Sequence, residues 1–200
     1  MAAIKTTRLK AVNIILSAAG KGPITNIVTG ASMDSDTAQG CLDETINVVL
    51  SEGWYFNTRK NVTLSPDVNS EILLQENVIR LEFPYIFTDG VKYTIRGNKL
   101  YNANTGTTNE FDEAVVADIV ELLEWDDLPE AARIYIAKSA ARLFVDRFIS
   151  DPNRIRSTAA DEAMAYAKLK REDVNTSNSR IFGPEFSRIV DRGKPLDWVN

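Results

Sequence analysis

The sequence predicts an α+β fold in which helices from both ends of the chain form one bundle and a mostly antiparallel β subdomain is inserted between them. Three observations carry this expectation. Near both ends, apolar residues recur every three or four positions, as a helix with one buried face requires. From about residue 57 to 126 the pattern changes to short apolar runs punctuated by turn residues. The two regimes meet at Ser51-Glu52-Gly53-Trp54-Tyr55-Phe56-Asn57, where Gly53 suits the left-handed end of a helix and each large ring brings roughly 150–250 Å² to bury. The expected divisions are 1–56 with 127–173 for the bundle, 57–126 for the β subdomain and 174–200 for a C-terminal docking tail.

Each element follows from local chemistry. Leu9, Val12, Leu16 and Ala19 mark a first helix from Thr7 to Ala19, stopped by Gly20-Lys21-Gly22-Pro23. Asp34-Ser35-Asp36 offers short acceptors and negative charge to the start of a second helix, expected from about Ser35 to Leu50. Its buried stripe would be Ala38, Cys41, Leu42, Thr45, Ile46 and Val49. In the middle, Val62 and Leu64 precede the turn at Pro66-Asp67, and Ile72, Leu74, Val78, Leu81 and Phe83 continue an apolar pattern up to Pro84. Val91 to Ile95 and Lys99 to Asn102 flank Arg96-Gly97-Asn98, which predicts a hairpin with its tip at positive φ. Ala114 to Leu123 reads as a further strand.

Asp127-Leu128-Pro129-Glu130 is expected to open the longest helix, with Asp127 as cap and the proline in the first turn. Ile134, Ala137, Ala141, Phe144, Val145 and Phe148 would form its buried face. Ser157 would cap a fourth, alanine-rich helix through about Arg171, able to sit close to a neighbour. Asn175-Thr176-Ser177-Asn178-Ser179 has the composition of a linker, and the aperiodic Phe182, Phe186, Ile189 and Trp198 after it read as apolar anchors that dock on a partner or on the body.

Composition narrows the chemistry. Twenty-three basic residues against 28 acidic ones leave a net charge of −5, which disfavours a protein that grips DNA through its overall field. The chain has no histidine, so the commonest general base and zinc ligand are missing. Its single cysteine, Cys41, allows no intrachain disulfide and sits on an apolar face. No apolar run approaches the roughly 18 residues of a membrane span, so a cytosolic product without an anchor is expected. Glu121, Glu124, Asp126 and Asp127 form the densest acidic cluster. Glu121 with Asp126 could serve a polysaccharide hydrolase, but capping and solvation explain these residues more simply. No nucleotide or calcium motif has the required spacing, and no catalytic, cofactor or metal residues are assigned. Arg133, Lys138, Arg142, Arg147, Arg154 and Arg156 are expected on a solvated face or in salt bridges between subunits.

The Gly-Trp-Tyr-Phe-Asn run at 53–57, Thr63-Leu64-Ser65-Pro66-Asp67 and Leu128-Pro129-Glu130 before a long helix together resemble the tail tubular A family, the adaptors of short-tailed, T7-like bacteriophages. The resemblance covers about residues 8 to 150. It implies a structural virion protein of the tail: a ring, twelvefold in the family, between the portal protein and the tail nozzle. That ring closes the head after packaging and lets DNA pass through its lumen without specific binding. By analogy, Arg96, Gly97, Asn98 and Tyr101 of the hairpin would face the nozzle, the helices would contact neighbouring subunits, and Phe182, Phe186, Ile189 and Trp198 would face the portal. A small cytosolic binding module is the remaining alternative.

Overall fold

The computed structural model describes residues 5–30, 32–83 and 91–178. It contains α1 (Arg8–Ala18), α2 (Met33–Ser51), β1 (Thr58–Leu64), β2 (Val78–Glu82), β3 (Tyr93–Arg96), β4 (Lys99–Asn102), β5 (Val115–Glu121), a 3-10 turn at Trp125–Asp127, α3 (Glu130–Phe148) and α4 (Pro152–Asn178). The mixed α and β content of the prediction is present, with antiparallel pairing throughout. Helix α3 is central to the helical layer, since α1, α2 and α4 all pack against it. Strands run in the order β1-β5-β2 in one sheet, and β3 and β4 form a separate hairpin.

Local chemistry sets the helix ends. Thr7 caps α1 by accepting from the Lys10 amide. Ser32 caps α2 through the Ser35 amide, so this helix starts two residues before the predicted Ser35; Asp34 and Asp36 occupy its first turn, where the dipole favours them. All six residues of the predicted α2 stripe are buried. Asp127 does not cap α3. It belongs to the 3-10 turn, Leu128 is extended, and Pro129 itself takes the cap position at φ −63°, ψ 152°. Helix α4 also departs from expectation. Pro152 fits its first position because the missing N–H has no partner to lose there, and the Asp151 carboxylate accepts from the Asn153 amide at 2.9 Å. The helix therefore begins well before Ser157. It continues through the polar stretch to Asn178, so 175–178 is helix and not linker, and α4 at 27 residues is longer than α3 at 19. The apolar anchors Phe182, Phe186, Ile189 and Trp198 lie outside the described residues.

Two apolar clusters result. The larger joins α1, α2, α3 and α4 through residues such as Ile15, Leu42, Trp54, Ile136, Phe144 and Leu169. The smaller gathers Ile72, Leu74, Val78, Leu100, Phe111 and Ile119 in the β region. Ile72 and Leu74 are buried as expected, yet their segment forms only an isolated bridge, Leu73 to Lys99, and no regular strand. On α3 the buried face is rotated from the predicted one: Ile134 is half-buried and Phe148 exposed, whereas Arg133 and Tyr135 are buried.

The joint at 53–57 is built by hydrogen bonds as much as by rings. Buried Asn57 donates through Nδ2 to the Leu50 and Glu121 carbonyls at 2.8 and 2.9 Å and accepts the Trp54 amide at 2.8 Å. One side chain thus ties the end of α2 to the end of β5. Trp54, 3% exposed, donates through Nε1 to Val49 O at 2.8 Å. Gly53 sits at φ +77°, which favours glycine; a Cβ there would also lie 2.4 Å from Arg80 Nη2, and that side chain would have to move aside.

Candidate assembly surfaces

The hairpin residues singled out from the sequence come together at one edge. Strands β3 and β4 pair from Tyr93 with Asn102 to Arg96 with Lys99, leaving Gly97-Asn98 as the tip with Gly97 at φ +61°. The Arg96 guanidinium stacks over the Tyr101 ring, 3.7 Å from its centroid, a cation–π contact that keeps a charged group and an aromatic edge together in solvent. The Asn98 carbonyl accepts from the Leu74 amide at 2.8 Å and the Leu100 amide donates to Ile72 O at 3.0 Å, which fastens the hairpin to the β region. Asp67 holds the preceding turn. Its carboxylate accepts the Glu71 and Asn69 amides, which keep it below the ordinary aspartate value.

The arginines are not a uniform solvated face. Arg133 is 2% exposed and donates only to main-chain carbonyls: Leu128 O at 2.9 Å, Asp126 O at 2.6 Å and Thr6 O at 3.3 Å. Thr6 O also accepts Trp125 Nε1 at 3.0 Å, while the Thr6 amide and hydroxyl donate to Glu130 at 2.9 and 2.5 Å. Partial burial raises the Glu130 pKa, but these two bonds together with the charges of Arg133 and Lys10 outweigh it and leave the carboxyl below its usual value. Together they clasp the segment before α1 onto the start of α3. A sequence shows Arg133 only as one more base on a helix; that it sits among carbonyls of the segments leading into α1 and α3 is a property of the packing.

Other bases bind within the chain. Lys138 pairs with Asp161 and Arg142 with Glu162, each at 2.6 Å, joining α3 to α4; Arg147 pairs with Glu44 at 2.6 Å, joining α3 to α2. Arg154 donates to Ala18 O at 2.8 Å and so closes the C-terminus of α1. Burial, then the charges of Glu52 and Glu162, push the Tyr135 phenol up to about 12, so it stays protonated in the core. Cys41 is buried, and desolvation raises its thiol.

Glu121 and Asp126 do not form an acid pair in a cleft. Glu121 is held by Arg59 at 2.8 Å on the sheet, whereas the Asp126 side chain is 92% exposed beside the 3-10 turn. Among the described residues no group of three or more Asp, Glu, Cys or His is placed to hold a metal ion, and no helix is long and apolar enough to cross a membrane.

What remains exposed is a set of faces. On α4, Ala160, Met164, Ala167, Arg171 and Val174 repeat at four- and three-residue steps on the side away from α3, with Met164 66% exposed. The sequence reading anticipated close approach by this alanine-rich helix without separating its two sides. On α2, Met33 is 85% and Val48 59% exposed, and Gly40 lies between them with open space where a Cβ would be.

Comparison with known proteins accords with a protein made to be assembled. The profile of the tail tubular protein family matches residues 9–179, a span that takes in every helix and strand described above but for the first residue of α1. Tail tubular protein A of Klebsiella phage KP34 is 26% identical over 188 residues, covering 93% of this chain and 97% of that relative. The chain therefore belongs to the tail tubular protein family and is a structural component of the bacteriophage tail.

Proposed function

We propose that the protein is the adaptor of a short phage tail: a homo-oligomeric ring, twelvefold as the family resemblance implies, seated between the portal and the tail nozzle. In this position it seals the head after packaging and lies on the path of the ejected DNA. The observation that carries the reading is the family match across nearly the whole folded body, so that bundle, joint and sheet are inherited as one unit. A net charge of −5 suits a lumen through which a polyanion slides without being held. Subunits of this kind close a ring by heterologous contacts, which leaves two different rims for two different partners. In this proposal Arg96, Gly97, Asn98 and Tyr101 meet the nozzle, and Phe182, Phe186, Ile189 and Trp198 meet the portal.

The test is mass. Light scattering of the purified protein, alone and mixed with its portal, is expected to give a ring with a mass near twelve chains. A monomer under both conditions overturns the adaptor reading. A chain ending at Asn178 is expected to keep its helical circular dichroism while losing portal binding; unchanged affinity would move the portal contact onto the folded body.

A further inference from the structure

We infer that the outer face of α4 is one half of the contact between subunits, and that its occupant is the outer face of α2 in a second copy of this chain. This rests on the ring reading and adds the surfaces that make it. Helix α4 carries two opposite seams. Ile155, Thr158, Glu162, Ala165 and Leu169 turn toward the body, with their acids engaged there: Asp161 and Glu162 pair with α3, and Asp173 accepts the Tyr55 amide at 3.1 Å. Facing away are Ala160, Met164, Ala167 and Val174, with Arg156, Lys168 and Arg171 alongside. None of these three bases has an ion pair among the described residues. The outer seam is therefore apolar and small along its line and positive at its margins, and nothing in the described body covers it.

Helix α2 offers the opposite character at the same spacing. Thr37, Gly40, Glu44, Asn47 and Ser51 step by three and four on its outer side, between exposed Met33 and Val48. Residues 33–51 include Asp34, Asp36, Asp43 and Glu44 and not one lysine or arginine. The partners that Asp34, Asp43 and Glu44 have are in exposed ion pairs with Lys21, Arg8 and Arg147, which leave carboxylate lone pairs open to a second base. A glycine in mid-helix costs roughly 1 kcal/mol relative to alanine, a cost that close approach of another backbone would explain. Because α2 and α4 both pack on α3 and their outer seams both face solvent on one copy, one copy does not satisfy both faces, and joining them between copies is heterologous. Residues 179–200 of the same chain are the weaker occupant on charge: they hold four bases against three acids and would bring positive charge to a positive seam.

Charge reversal with rescue tests the pairing. The full-length R156E/K168E/R171E chain is expected to keep its melting temperature within a few degrees and to run as a monomer by light scattering at low salt. Full-length N47K/S51K, which places bases on the α2 seam at positions that hold no ion pair and leaves Gly40 as it is, is expected to do the same. Mixed in equal amounts, the two are expected to restore the wild-type mass, because every junction then joins opposite charges. Wild-type assembly by the first variant would remove α4 from the interface. Two blocked variants that fail to rescue each other would show that α2 is not its partner. If both variants assemble only after truncation at Asn178, the tail is the occupant and the inference fails. A wild-type chain that is monomeric with and without portal would overturn the ring itself, a result distinct from these.

Discussion

The helical layer and the β region of this chain hold themselves together differently. In the helical layer, four helices, Trp54 and Trp125 share one continuous apolar cluster, and α3 touches every other helix. In the β region, a cluster of six buried side chains serves five strands, and much of the order comes from main-chain bonds such as Leu100 to Ile72 and from the Asp67 turn. A larger cluster buries more apolar surface per residue ordered and opens only with the whole layer; a small one leaves strands free to open locally. In the proposed ring, the larger layer would carry the subunit contacts and the more yielding one would hold the hairpin.

The comparison breaks first in the helical layer. Arg133→Ala is expected to destabilise the chain by about 3–5 kcal/mol in urea titration, because it removes a buried donor shared by three carbonyls and leaves a cavity in its place. Arg133→Lys should recover only part of this, since one ammonium cannot span all three. Trp54→Ala carries a similar expectation of about 3–5 kcal/mol from lost transfer energy and the cavity left behind. A loss below about 1 kcal/mol at either position would mean that the helical layer is not the stability-determining part.

In the smaller cluster, Leu100→Ala is expected to cost about 2–3 kcal/mol, toward the low end for such truncations because the sheet can close around the gap. Hydrogen exchange should then quicken in β3 and β4 while α3 stays protected. Equal acceleration in both would show one cooperative unit. Smaller still, Gly97→Ala should cost about 1–2 kcal/mol for placing a side chain at positive φ, visible as a lower melting temperature without loss of helical signal.

The smallest effect separates the layers by pH. Glu130 and Asp67 both have folded pKa values below their unfolded ones, so each contributes stability above its unfolded value and loses it as pH falls through the folded one. Glu130→Gln should flatten part of the acid-side decline of the helical layer, and Asp67→Asn that of the β region. Identical acid curves for the wild type and both variants would remove these carboxylates from the account.

The sequence by itself determined the local features. Apolar spacing placed α1, α2 and the buried stripe of α2, Gly53 marked the end of that helix, and Arg96-Gly97-Asn98 marked the hairpin, because periodicity and turn stereochemistry act over a few neighbouring residues. The first residues of α3 and α4 differ from expectation for a related reason: Asp127, Asp151 and Ser157 all have capping side chains, and which of them is used depends on where the chain must go next. Only the tertiary structure decided that Arg133 is a buried clasp while Arg156 and Arg171 stand in solvent. All three are arginines on helices, and they differ in whether carbonyls from distant segments, Thr6 among them, converge on them. The same holds for the outer seams of α2 and α4. A sequence shows that a helix has two usable sides, but which side the body covers is settled by packing between residues far apart in the chain.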